Sequence, residues 1–207
     1  MGEEQLKIFD REHNQIGVAS RKEVHKQGLW HEAFHCWLIG KRAGQYDVYL
    51  QLRSQKKKDY PNLLDISAAG HLLANEAVED GVREVKEEIG IDVSFEVLEP
   101  LGVINFTIED GEFIDREFSH VFLYKSELSL EDLTIQPDEV AGMVKMSFGD
   151  FSELWFGKKE RVKVDGFQIT KDGRKYSICE RVGIDDFVPH HMDFYREVVR
   201  RIEKNLD

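Results

Sequence analysis

Four acids, Asp80, Glu84, Glu87 and Glu88, stand within nine consecutive positions. At about 100° per residue they share a roughly 100° sector of a helix, while Val78, Val82, Val85 and Ile89 fill another. Like charges at i, i+4 disfavour a helix by roughly 0.2–0.5 kcal/mol per pair, and no base on that face relieves Asp80–Glu84 or Glu84–Glu88. A solvated acidic face is one reading. The other is a bound cation, because convergent carboxylates suit a hard divalent ion and Mg²⁺ characteristically takes carboxylates, water and substrate phosphate. A second group sits on strand-like sequence. Asp115 and Glu117, two apart, project from one face about 7 Å from each other, and His31 and His35 share a face in the same way. Histidines beside carboxylates suit Zn²⁺, Mn²⁺ or another transition metal, although each taken singly also reads as an ordinary partly buried residue.

These groups need elements to hold them. The apolar stripe predicts a helix over Ala77–Ile89, ended by Gly90 in a left-handed cap. Phe194, Val198, Val199, Ile202 and Leu206 predict a second, C-terminal helix over Met192–Leu206, with His190-His191 as a solvent-facing pair at its start. Asp110-Gly111 and Asp165-Gly166 read as hairpin turns between apolar runs, the latter within an added hairpin over Asp165–Ile178. Leu6–Phe9, Ala33–Ile39, Tyr46–Leu52 and Val93–Leu98 complete the strand expectations. A helix between strand-rich halves points to an α+β fold or an α/β/α sandwich.

The 207 residues carry 41% hydrophobic side chains and four prolines, enough apolar content for one full core, and no linker or repeat divides them. A single domain over 1–207 is therefore expected. Lys and Arg total 28 against 40 Asp and Glu, a formal charge of −12 that repels nucleic acid and anionic membrane as principal partners. Phosphate chemistry on such a chain requires a cation as intermediary. The acidic start, Met1-Gly2-Glu3-Glu4, and the lack of a long apolar run lead to a cytoplasmic expectation. Cys36 and Cys179 read as two reduced thiols, too few and too far apart for a disulfide framework or a metal knuckle. The run Lys56-Lys57-Lys58, with Arg53 close by, offers phosphate a guanidinium fork and point charges, or else is a solvated loop.

Gly70, Glu76 and the run Arg83-Glu84-Val85-Lys86-Glu87-Glu88-Ile89-Gly90-Ile91 together resemble the Nudix box. The box has seven residues between its first Glu and the Arg, whereas six separate Glu76 from Arg83 here. The resemblance implies a central mixed sheet between helices, with the box as a loop–helix–loop in a core over about 24–155 and a C-terminal extension over about 156–207. It implies hydrolysis of a diphosphate in a small molecule, a nucleoside diphosphate derivative or another organic diphosphate. Glu84, Glu87 and Glu88 would hold Mg²⁺ or Mn²⁺, and Glu76 and Arg83 would brace the loop. One of these acids, or Glu139 from another loop, would be the base. The resemblance leaves a homodimer open.

Residues from about Val24 to Tyr124 are also similar to the type I isopentenyl diphosphate isomerases, which share the Nudix fold. Gly28-Leu29-Trp30-His31-Glu32-Ala33-Phe34 and Ala69-Gly70-His71 match isomerase segments, which implies metal-ligand roles for His31 and His71, with His25 a nearby candidate one residue out of register. Asp115-Arg116-Glu117 resembles the isomerase Glu-x-Glu, implying metal ligation by both acids and an acid–base role for Glu117. Arg53, Lys57 and Lys58 precede Ala69 by sixteen, twelve and eleven residues, a spacing similar to that of the isomerase's diphosphate-holding bases. Ala69, however, stands where the isomerase has its catalytic Cys, and Phe106 stands for its Tyr. Alanine transfers no proton, so the hydrolase expectation takes precedence over the isomerase, and a ligand-binding module without catalysis comes third.

Overall fold

Side chains alternate along the strand Trp30–Arg42, and that alternation sets the architecture. Trp37 and Ile39 enter one apolar core, whereas Phe34, Cys36 and Leu38 enter another on the opposite face. Both faces of this strand are buried, so the sheet has to be covered on both sides. The computed structural model describes residues 3–42, 44–170 and 172–206, so Met1, Gly2 and Asp207 of the segments discussed above lie outside the described residues.

In chain order the elements are β1 (Gln5–Phe9), β2 (Gln15–Ser20), α1 (Arg21–Gln27), β3 (Trp30–Arg42), β4 (Gln45–Arg53), β5 (Leu64–Asp65) and β6 (Ala68–His71). A 3-10 turn, Val78–Val82, leads into α2 (Arg83–Ile89). There follow β7 (Glu99–Asp110), β8 (Phe113–Ser126), β9 (Val140–Ser147), α3 (Phe148–Trp155), β10 (Val162–Ile169), β11 (Lys175–Val182) and α4 (Met192–Glu203). The sheet runs β11-β10-β9-β4-β3-β1-β2, with β8 parallel to β3 and β7 antiparallel to β8. Val85 and Ile89 of α2 join the core on one face, and α3 and α4 close the other through Phe151, Trp155, Tyr195 and Val198. This is the expected mixed sheet between helices.

One irregularity opens the site. β3 pairs with β6 through residues 33–36 and with β4 through residues 38–42, so two strands share one edge of it and part from each other. Ser67 spans the fork, its hydroxyl accepting from Leu38 N–H at 2.8 Å and donating to the Tyr49 carbonyl at 2.5 Å. Asp65 on β5 and Ala69 on β6 therefore line a cleft instead of an unbroken ladder, with Gln51 of β4 buried close to it.

Several sequence expectations are corrected. The helix expected over Ala77–Ile89 is α-helical only from Arg83, because the preceding residues take the tighter 3-10 form and let Gly81 pack against the Phe34 ring. Val93–Leu98 is not a strand; Phe95–Val97 forms a 3-10 turn. Asp165-Gly166 is not a turn but lies inside β10, where a Cβ on Gly166 would overlap the Met143 carbonyl of β9. The turn falls later, around Gly173 at φ +81°, and the resulting hairpin extends the main sheet. Asp110-Gly111 does turn, with Gly111 at φ +62°. The sequence reading missed α1 and α3, whose starts are capped by Ser20 and Ser147. Cys36 is buried, with burial pushing its thiol up to about 12, and Cys179 is exposed. Among the described residues, no helix is long and apolar enough to cross a membrane.

Candidate active site

The box builds one wall of a cavity of about 590 Å³. Arg83, at the start of α2, is its hub. Its guanidinium donates to Glu76 at 2.6 and 3.1 Å, to the His71 carbonyl at 3.2 Å, to Glu84 at 2.6 Å and to Glu87 at 3.0 Å. The acidic face is thus not free of bases, because the long Arg83 side chain folds back across it. Glu76 also accepts from Leu73 N–H at 2.8 Å, so the shortened spacer still closes the loop. Burial pushes the Glu76 carboxyl up, but Arg83 and the Leu73 amide outweigh it and hold the group below its ordinary range. Gly70 sits under Glu84, where a Cβ would overlap the carboxylate, and Gly90 at φ +75° ends α2 against the Thr134 carbonyl.

Glu84 and Glu88 face the cavity from successive turns. Glu88 is buried, and its Oε2 accepts from Ala69 N–H at 2.9 Å and from Gln51 at 3.0 Å. Burial pushes Glu84 up to about 7 despite Arg83, and burial with the Glu84 charge pushes Glu88 up to about 8. Glu87 lies at the rim with 59% of its side chain exposed, which makes it the most hydrated of the three.

A second cluster borders the same cavity, with His25, His71 and Asp115 in its lining and His31 fully buried beside them. His25 of α1, His31 of β3, His71 of β6 and Asp115 of β8 each offer an atom within 4.8 Å of the others. The Nδ1–H of His25 donates to the Arg21 carbonyl at 2.8 Å, and that of His31 to the Leu29 carbonyl at 3.1 Å. With those protons placed, both Nε2 atoms carry lone pairs whenever the rings are neutral, although for His25 burial is outweighed by the Asp115 carboxylate, which raises its pKa. The two Nε2 atoms face Asp115 Oδ1 at 3.6 and 3.4 Å, and all three atoms are buried without a hydrogen-bond partner. Lone pairs aimed at a carboxylate oxygen are repulsive until a cation lies between them, so this donor set fits a metal ion. Burial holds His71 well below the ordinary histidine range, which keeps its imidazole neutral as ligation requires.

Glu117 extends the cluster. It lies 3.8 Å from His71 and 3.2 Å from His35, and burial together with the Asp115 charge raises its carboxyl. His35, which shares a strand face with His31 but has no counterpart in the isomerase pattern, is buried, and burial pushes its pKa down to about 4. Phe106, paired with Glu117 across the ladder, is buried in the core beneath.

The basic candidates separate. Arg53 lines the cavity, but its guanidinium is committed to Asp65 at 2.7 Å and to the carbonyls of Tyr60 and Asp59. Lys57 also lines it, paired with Glu139. Lys58 does not; it is exposed beside a neighbouring recess with Lys22 and Lys26. His190 is a further correction. Rather than facing solvent, its side chain is 8% exposed, reaches Asp65 at 3.4 Å and packs edge-on to Phe106. The α4 stripe draws it inward, because Phe194 and Tyr195 bury on the side of the helix from which it enters.

Comparison with known proteins fits this arrangement. Residues 11–165 match the NUDIX domain. The chain belongs to the Nudix family. It is 41% identical over 202 residues, 98% of both chains, to an uncharacterized Nudix hydrolase of Clostridium acetobutylicum. It is 29% identical to isopentenyl-diphosphate Delta-isomerase 2 of Photorhabdus laumondii over 122 residues, 58% of this chain and 66% of that one. The crystal structure of DR0079 from Deinococcus radiodurans shares the Nudix fold, with a TM-score of 0.55 and 19% identity over 70% of this chain and 85% of that one.

Proposed function

We propose that this chain hydrolyses the phosphoanhydride of a small organic diphosphate, such as a nucleoside diphosphate derivative, with Mg²⁺ or Mn²⁺. The observation that carries this reading is the convergence of Glu84 and Glu88 on one cavity, with the box brace intact behind them. Two carboxylates, Glu84 half-buried and Glu88 buried, lifted to about 7 and 8, describe a site short of positive charge. Glu84, Glu87 and Glu88 would hold the ion, which when bound supplies charge neutralisation of the diphosphate and activation of a water nucleophile.

The chain's own residues do the rest. Ala69 N–H and Gln51 fix Glu88 through Oε2, while Arg83 fixes Glu84 through Oε1, so each presents its remaining oxygen in a set direction. Lys57 is the cavity base suited to the diphosphate, and Arg53 secures the loop that carries it. Glu117 and Glu139 are the acids available to accept a proton from the water. His25, His31, His71 and Asp115 would hold a second ion of transition-metal type, with Glu117 beside it.

That histidine cluster also favours a second reading, isopentenyl diphosphate isomerase, against which Ala69 stands. Phosphorus NMR of the protein with Mg²⁺ or Mn²⁺ separates the two, using nucleoside diphosphate derivatives, free nucleotides and isopentenyl diphosphate as substrates. New monophosphate or phosphate signals are expected. An allylic proton pattern with the diphosphate intact would overturn the hydrolase reading in favour of the isomerase.

A further inference from the structure

On the sheet face opposite the cavity, three side chains from distant parts of the chain meet. Glu32 is the neighbour of His31 on β3 and therefore points away from the cavity, and His120 on β8 alternates in the same way with Ser119. His13 reaches them from the turn between β1 and β2. The Nε2 atoms of His13 and His120 each donate to the same oxygen, Glu32 Oε1, at 2.9 Å. One atom from each of the three residues lies within 4.8 Å of the others.

We propose that His13, Glu32 and His120 form a second-face binding site for a borderline transition-metal dication, with Zn²⁺ the best match. Two imidazoles and one carboxylate are a donor set zinc accepts, at about 2.0–2.2 Å per ligand, with a fourth position left to water. Little rearrangement is required, since the two nitrogens already converge on the oxygen beside which the ion would sit. Among the described residues, neither ring has its Nδ1 tied to a backbone carbonyl, unlike His25 and His31. Each is free to shift its proton from Nε2 to Nδ1 and turn a lone pair to the metal, with no net proton to dispose of.

The site is also held in place and reachable. Asp10 accepts from the backbone N–H of Glu12 and Asn14 and from the Asn14 side chain, which shapes the turn that carries His13 at φ +65°. The His13 ring stacks on Phe118 at 4.0 Å and meets Phe9 edge-on at 5.0 Å. Side-chain exposures of 31% for His13, 13% for Glu32 and 17% for His120 leave an ion a path from solvent. A metal here would clip the β1–β2 turn to the middle of the sheet.

The test uses the full chain with histidine ¹⁵N labels, stripped with a chelator and titrated with Zn²⁺. The expected result is that the Nε2 resonances of His13 and His120 move from the protonated to the metal-bound range while their Nδ1 signals become protonated. In parallel, a His13→Ala, His120→Ala double variant should bind one zinc fewer per chain than the wild type by elemental analysis. Nε2 signals that remain protonated at saturating zinc would overturn the proposal, as would equal stoichiometry in a folded variant. The resonance assignment needs no substitution, so it decides the matter even if the variant does not fold.

Discussion

The two walls of the cavity handle buried charge in opposite ways. On the box wall, protein donors serve the carboxylates: Arg83 reaches Glu76, Glu84 and Glu87, and Ala69 N–H and Gln51 reach Glu88. On the histidine wall, His25 Nε2 and His31 Nε2 face Asp115 Oδ1 at 3.6 and 3.4 Å, and none of the three atoms has a protein hydrogen-bond partner among the described residues. A braced wall keeps its shape without an ion, and an unbraced wall of lone pairs depends on one. In the proposed reading, the difference separates a site whose geometry is set by the fold from one whose geometry a metal ion would complete.

The strongest way to break that contrast is Glu88→Gln. It keeps the shape and the partners Ala69 and Gln51 but removes the charge, so turnover should fall by about 10²–10³-fold with the unfolding midpoint hardly changed. Full metal-dependent activity in a ³¹P assay would remove Glu88 from the chemistry. On the other wall, His31→Ala and His71→Ala should each weaken Co²⁺ or Zn²⁺ binding by at least about tenfold in a competition titration. Because Mg²⁺ would sit on the box wall, its midpoint in the hydrolysis assay should change far less. Equal losses for both ions would mean that the walls act as one site.

Arg83→Ala removes the hub and leaves Glu76, Glu84 and Glu87 uncompensated, for a loss of about 2–3 kcal/mol in urea unfolding. Gly90→Ala, forced to φ +75° and against the Thr134 carbonyl, should lose about 1–2 kcal/mol by the same measurement. The smallest effect is pH-dependent. The Glu76 carboxyl is held below its ordinary value of 4.5, so the stability it contributes is complete above that pH and is lost as pH falls through its lower folded value. Between pH 6 and pH 3.5 the wild type should therefore lose more stability than Glu76→Gln. Parallel losses would show that the Glu76–Arg83 pair adds nothing to the fold.

What the sequence by itself determined is local chemistry. The register of Val85 and Ile89 against Glu84 and Glu88, the cap at Gly90 and the turn at Gly111 follow from spacings of a few residues, and the structure reproduces them. The box was legible for the same reason, because the motif is a contiguous loop and helix, whereas the family match over residues 11–165 is wider than the expected core of about 24–155. Tertiary structure decided whatever depends on strand pairing and packing. Gly166 looked like a turn residue, yet it is needed where the backbone of β10 passes that of β9. His190 looked solvated, yet the burial of Phe194 and Tyr195 pulls it in beside Asp65. Lys58 looked like a phosphate ligand, but it points to another recess while Lys57 keeps to the cavity. His25, His31, His71 and Asp115 come from four separate elements, and only the parallel pairing of β3 with β8 and the forked edge of β3 bring their atoms within 4.8 Å. A helix declares its faces through a repeat of about 3.6 residues, but a sheet acquires its neighbours only when distant strands meet.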